Sequence, residues 1–261
     1  MSGQRAFEHV HLELLAADQV ELQHQALAEL LAERYQVLRV LGQSVKSLVC
    51  SGLCMASGEQ VVIKRYFDEA AYAAETSGYL LFRSGPIAGV RYQDSQHQVL
   101  VLEFLQGRMP GLADLPEVIK AYAAMHATAL ANIQRVMGQQ GTPEFVDPCL
   151  SSRCRFPSFD LQGISVGDGK PEHLLVTPDG VRILDLETHS LQRSVWFDIL
   201  SLSRFLGAVP SCPWSLEEWV ACYCACRKIP AHYYDLHKIQ DCLQRVQAMQ
   251  PGRVYCEEAL S

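Results

Sequence analysis

Long apolar runs are missing from this 261-residue chain, and no window approaches the ~18 uninterrupted apolar residues a bilayer-spanning helix needs. Basic residues are the minority charge, 22 Lys+Arg against 29 Asp+Glu. The resulting net charge of −7 excludes a surface dedicated to neutralising nucleic-acid phosphates. The opening Met1-Ser-Gly-Gln-Arg-Ala-Phe-Glu-His carries no apolar segment after its one Arg, so nothing there reads as a secretory signal. Charged residues make up 20% of the chain against 49% apolar, which excludes a disordered polymer. What is left is a cytoplasmic protein of one or two domains that meets a membrane at most peripherally.

Cysteine, by contrast, is plentiful. The ten cysteines read as thiols packed like small apolar groups, because no export signal accompanies them. Their one dense cluster, Cys222-Tyr-Cys-Ala-Cys226, falls in a helical segment. Cys222 and Cys226 lie one turn apart there and Cys224 points elsewhere, so one tetrahedral metal does not suit all three.

Patterning divides the chain into two textures. Residues 12–33 form an amphipathic helix, with Leu27, Leu30 and Leu31 at helical spacing. Strands follow over 35–41, 48–55 and 60–66, then a helix over 68–83 stopped by Ser84-Gly85-Pro86, then strands over 89–93 and 99–104. After Gly107 the chain turns helical over 115–137, 196–206, 215–226 and 233–250. A short hairpin interrupts these helices, with strands over 173–177 and 181–185 around Pro178-Asp179-Gly180. A small sheet-rich lobe and a larger helical lobe, joined near 105–108, is the simplest description. A cleft between such lobes would suit a ligand.

The chemistry gathers on that hairpin. Asp168 sits in a polar loop before its first strand, His173 begins that strand, and Asp185 ends the second. A tight hairpin brings its ends together, so two carboxylates and an imidazole should face one small volume. That set suits a hard cation carrying phosphates.

Asp168-Gly-Lys170-Pro171-Glu172-His173 resembles the catalytic loop of the protein-kinase-like phosphotransferases, H-R-D-x-K-P-E-N in protein kinases. Gly167-Asp168 is similar to the H-G-D form of aminoglycoside and choline kinases, and Asp185-Leu186-Glu187 stands where those families have D-F-G or D-[FW]-E. Other parts of the pattern occur in order. Val61-Val62-Ile63-Lys64 matches V-A-I-K, and Leu41-Gly42 opens the segment where a Gly-rich loop belongs. Glu75, with Glu69 as its competitor, is placed to pair with Lys64. Val101-Leu102-Glu103-Phe104-Leu105 resembles the segment that joins the lobes, and Asp198 the buried aspartate that anchors the catalytic loop.

The resemblance covers about residues 35–206 and implies an α+β, protein-kinase-like bilobal fold. It divides the chain into an N-terminal helical extension over 1–34, an antiparallel-sheet N-lobe over 35–106 and a mainly helical C-lobe over 107–261. It implies ATP and Mg²⁺, or Mn²⁺, as cofactors. Gly42, Ser44, Lys64, Glu75, Glu103 and Leu105 would bind the nucleotide, and Asp185 and His173 the metal. Asp168 would orient the attacking hydroxyl, and Lys170 would reach the moving phosphoryl group.

Departures from the pattern narrow the substrate. Ser44 and Ser47 replace two loop glycines, Val166 replaces the usual His, and His173 replaces the Asn that holds a second metal. The D-x-x-x-x-H form resembles the lipopolysaccharide core sugar kinases. Only thirteen positions separate Asp185 from Asp198, with neither room nor A-P-E motif for a peptide platform. These features favour a small-molecule or glycan acceptor, with Arg153, Arg155, Arg193 and Arg204 available for an anionic sugar. An atypical Ser/Thr protein kinase and a nucleotide-binding pseudokinase are the competing readings.

Overall fold

A computed structural model describes residues 15–137, 165–167, 169–190, 195–196, 198–199 and 214–228. Asp168, the stretch 138–163, the helix expected over 233–250 and the four arginines just named lie outside these residues. Two compact units divide the chain. The first takes Met1–Ala73 and Gly89–Phe104, and the second Ala74–Ala88 and Leu105–Ser261.

The first unit opens with helix α1 (Ala17–Leu31), followed by strands β1 (Tyr35–Gln43), β2 (Ser47–Cys54) and β3 (Gln60–Tyr66). After the excursion into the second unit come β4 (Val90–Asp94) and β5 (Val99–Glu103). The strands form one antiparallel sheet in the order β1-β2-β3-β5-β4. Alternation along β2, β3 and β5 turns Leu48, Cys50, Val61, Ile63, Val99 and Val101 to one face. Helix α1 covers that face with Leu27 and Leu31, both fully or almost fully buried. Each such aliphatic side chain contributes about 1.5–3 kcal/mol by leaving water. The 3.6-residue period of α1 and the two-residue period of the strands therefore meet in one core.

β1 runs two residues further than its apolar pattern suggests. Ser44 is the reason: its Oγ accepts from Lys46 N (3.1 Å) and Ser47 N (3.2 Å), and its N–H donates to Ser47 O (2.8 Å). This side-chain-built turn joins β1 to β2 tightly. Gly42 is thereby drawn into the ladder as the partner of Val49 instead of standing in a loop.

Helix α2 (Glu69–Leu81) starts at Asp68, whose Oδ1 accepts from Ala70 N (2.8 Å) as an N-cap does. From Ala74 onward it belongs to the second unit. Its last carbonyl and one in the turn beyond it are met by Asn132, whose Nδ2 donates to Leu81 O (2.7 Å) and Arg83 O (3.1 Å). Asn132 lies on α3 (Leu115–Met137), the long helix of this unit. Leu115, Val118, Ile119, Tyr122, Met125 and Ala129 form its buried stripe. Helix α4 (Leu216–Arg227) packs on α3 and begins at a capping box in which Ser215 and Glu218 satisfy each other's backbone N–H groups. Burial pushes the Cys222 thiol up to about 11 and that of Cys224 to about 12, so neither is a thiolate near neutrality.

The hairpin consists of β6 (Leu174–Thr177) and β7 (Gly180–Ile183). Ile183 N donates to Pro86 O (2.8 Å), which ties β7 to the segment after α2. Val176 and Arg108 exchange backbone hydrogen bonds of 2.7 and 3.1 Å, which ties β6 to the chain entering the unit. Gly107 is required there, since a Cβ would collide with Val176 O. Among the described residues no helix is long and apolar enough to cross a membrane.

Candidate active site

Register across the sheet of the first unit aligns the residues expected to meet phosphate. Val49 pairs with Gly42 on one side and Lys64 on the other, and Lys64 pairs with Leu100. Directly opposed residues project to the same face, so Gly42, Val49, Lys64 and Leu100 form a row on the face away from α1. Lys64 Nζ lies 5.1 Å from the centre of the Tyr66 ring, a cation–π contact that fixes the ammonium over the strand. Ser44, expected to replace a loop glycine at the phosphates, spends its hydroxyl on its own turn. Glu103 Oε2 accepts from Gly89 N (3.1 Å), which joins the ends of β4 and β5.

In the second unit the hairpin carries the chemistry, with two corrections to the expected geometry. His173 does not begin β6. Pro171 starts a short 3₁₀ turn, Pro171–His173, with Lys170 extended just before it, and β6 begins at Leu174. Asp185 does not end β7 either, because the strand stops at Ile183. Asp185 instead holds φ of +57°, the left-handed region in which non-glycine residues are uncommon. Such a conformation costs on the order of 1–3 kcal/mol and concentrates at functional sites. A hydrogen bond from Leu184 N to His173 O (2.8 Å) nevertheless keeps the two together, with His173 Nε2 3.6 Å from Asp185 Oδ2.

Glu75, Asp185 and Glu187 converge. Their carboxylate oxygens lie within 4.8 Å of one another, and Glu75 is only 1% exposed. Glu187 was not among the expected metal ligands, and its signal in the sequence is the D-[FW]-E form that Asp185-Leu186-Glu187 resembles. Burial first, then the negative charge of Glu75 and Asp185, holds the Tyr79 phenol well above its ordinary pKa. Three carboxylates this close offer a cluster of oxygen donors to one divalent cation. Oxygen donors of this kind fit Mg²⁺ or Mn²⁺, and the nearby imidazole adds a donor better suited to Mn²⁺. His189 braces the turn: its Nδ1 donates to Leu186 O (2.8 Å) and its Nε2 lies 3.3 Å from Ser77 Oγ on α2.

Asp198 is fully buried and grips the chain just before Asp168. It accepts from Ser165 Oγ (2.8 Å), Val166 N (2.7 Å) and Gly167 N (2.8 Å). Lys170 and Leu105 are half-buried in the same unit.

No family model and no curated protein matches this chain. Its fold, however, is widespread, with 1071 chains of solved structures matching it. One is a crystal structure from Thermobifida fusca YX-ER1 described as a "putative fructosamine-3-kinase", with a TM-score of 0.56 and 16% identity. The match covers 88% of this chain and 93% of that one. The protein thus has the mixed α and β, kinase-like architecture of that structure, with an antiparallel sheet followed mainly by helices.

Proposed function

We propose that the protein is an ATP-dependent phosphotransferase that moves the γ-phosphate of ATP to a hydroxyl of a small, sugar-bearing acceptor. The observation that carries this reading is the convergence of Glu75, Asp185 and Glu187 beside His173, at the end of a hairpin, in a chain of kinase-like fold. Fold alone does not name a substrate, so the residues have to.

Lys64 holds the α/β-phosphates, with the Gly42–Val49 row beside it. Asp185, Glu187 and Glu75 hold Mg²⁺, with His173 as a further donor. The cation, when bound, supplies charge neutralisation on the phosphates. Asp168 orients the acceptor hydroxyl and takes its proton, and Lys170 lies two residues on, within reach of the transferring phosphoryl group. Little covalent chemistry is asked of the protein; positioning and positive charge suffice.

Two features support a small acceptor. Only thirteen positions separate Asp185 from Asp198, and the kinase-like structure it matches is described as a "putative fructosamine-3-kinase". A ketoamine sugar is therefore the first acceptor to try, and a lipopolysaccharide core sugar, suggested by the D-x-x-x-x-H form, the second.

A thermal-shift titration with ATP and Mg²⁺ or Mn²⁺ tests the nucleotide part. A ligand at a hundredfold excess over its Kd stabilises by about 2.7 kcal/mol. The reading expects such a shift, and it fails if neither ATP nor GTP moves the melting temperature with either metal.

A further inference from the structure

A buried polar chain runs through the second unit and ends on the backbone that leads into Asp168. Besides the three donors already described, Asp198 meets His126 Nε2, 2.8 Å from Oδ2. A carboxylate offers about four lone-pair positions, so four donors fill it. Ionised, it can only accept, and His126 Nε2 must therefore carry a hydrogen. Burial outweighs the pull of Asp198 and holds the imidazole below its ordinary pKa, so the ring carries one hydrogen and not two.

Nδ1 is then an acceptor, and the Tyr223 hydroxyl, 2.8 Å away, donates to it. With its hydrogen committed, the Tyr223 oxygen accepts from Arg227 Nη1 at 3.1 Å. Donation thus has one direction, from Arg227 through Tyr223 and His126 to Asp198. His126, Tyr223 and Asp198 are all 0% exposed. In such surroundings each bond strengthens its neighbours, and losing one leaves a buried group without its partner.

We infer that His126 and Tyr223 are positioning residues for phosphoryl transfer, acting through Asp198 on the backbone at 165–167 and hence on the placement of Asp168. The inference rests on the proposed role of Asp168. A histidine that merely fills the core needs its two nitrogens satisfied and nothing more. This one completes the shell of the carboxylate that holds two consecutive loop amides, and its orientation is set from α4, 97 positions along the chain. An Asp198 short of one donor can turn and slacken its hold on Val166 and Gly167. Displacement of a catalytic group by about 1 Å costs on the order of 10²-fold in rate.

The test compares His126→Leu, His126→Gln and Tyr223→Phe in the full-length protein. Readouts are melting temperature, amide hydrogen exchange at Val166 and Gly167, and the kcat and KM of Mg·ATP turnover measured as phosphate release. The glutamine amide reaches roughly where Nε2 stands and still donates to Asp198, whereas leucine cannot. H126L and Y223F are expected to lower kcat about 10–100-fold at unchanged KM for ATP, with faster exchange at both amides. H126Q should recover most of the kcat and the protection while melting as low as H126L. Equal turnover and equal protection in the leucine and glutamine variants would reduce the chain to ordinary packing and overturn the inference. Absence of any ATP turnover in the unsubstituted protein would instead defeat the kinase reading. The exchange comparison then decides alone: slower exchange in H126Q than in H126L upholds the hold on the loop, and equal exchange removes it.

Discussion

Gly78 of α2 meets Leu186 so closely that a Cβ on the glycine would stand 2.7 Å from the Leu186 Cβ and 3.0 Å from its carbonyl oxygen. That approach lets Glu75, one turn earlier on the helix, join the carboxylates on either side of Leu186. Gly78→Ala carries two opposing effects. Alanine favours the helix by about 1 kcal/mol, but overpacking against a Cβ and a backbone oxygen costs about 1–3 kcal/mol. The clash should win, lowering the melting temperature and weakening the stabilisation by Mn²⁺ in a thermal-shift titration. A variant more stable than the parent, with its response to Mn²⁺ undiminished, would show that the close approach does not set the site.

Asp185→Asn separates function from stability. A single charge at a partly exposed site carries little of the stability, so the metal-free variant should unfold within about 1 kcal/mol of the parent. Metal-dependent turnover should be lost. Unfolding well below the parent would mean that the Asp185 carboxylate is a structural partner first.

Asp198→Ala should do the reverse. It leaves Val166 N, Gly167 N, Ser165 Oγ and His126 Nε2 buried without their acceptor. Breaking a buried charged network from one side costs about 3–5 kcal/mol, readable as a shift in the chemical-denaturation midpoint. A variant that melts like the parent would contradict the anchoring role.

His126 also sets a pH dependence. Its pKa is lowered in the fold, chiefly by burial, against the pull of Asp198. The unfolded chain therefore binds more protons once pH drops below the ordinary histidine value near 6.5, and stability rises with pH across that window. Its contribution is whole above about 6.5 and declines below it, by at most ~1.4 kcal/mol per pH unit, until the folded imidazole itself protonates. Denaturant titrations at pH 7.5 and 5.5 should show a larger loss for the parent than for H126Q. Equal losses would place the His126 pKa at its ordinary value.

Much of this architecture was legible because its signals are local. Alternation in Gln60–Tyr66 and the leucine spacing in Ala17–Leu31 each report a period that the structure reproduces. The site was legible only in part. The turn-forming hydroxyl of Ser44 lengthened β1, and Pro171 turned the expected start of β6 into a 3₁₀ turn; both are local effects that outcompeted periodicity. The left-handed Asp185 has no sequence signature, since nothing about aspartate demands that conformation. His126 carries no sequence signal for its place in the network. Its partners stand 72 and 97 positions away, and one sequence cannot reveal such pairings.

The most direct test of the account is transfer of radiolabelled γ-phosphate from ATP to a panel containing a fructosamine, lipopolysaccharide core sugars, a generic protein substrate and the protein alone. The account predicts a labelled sugar phosphate, dependent on Mg²⁺ or Mn²⁺ and lost in Asp185→Asn and Lys64→Ala. Label on protein serines with none on any sugar, or label that persists in Asp185→Asn, would contradict it.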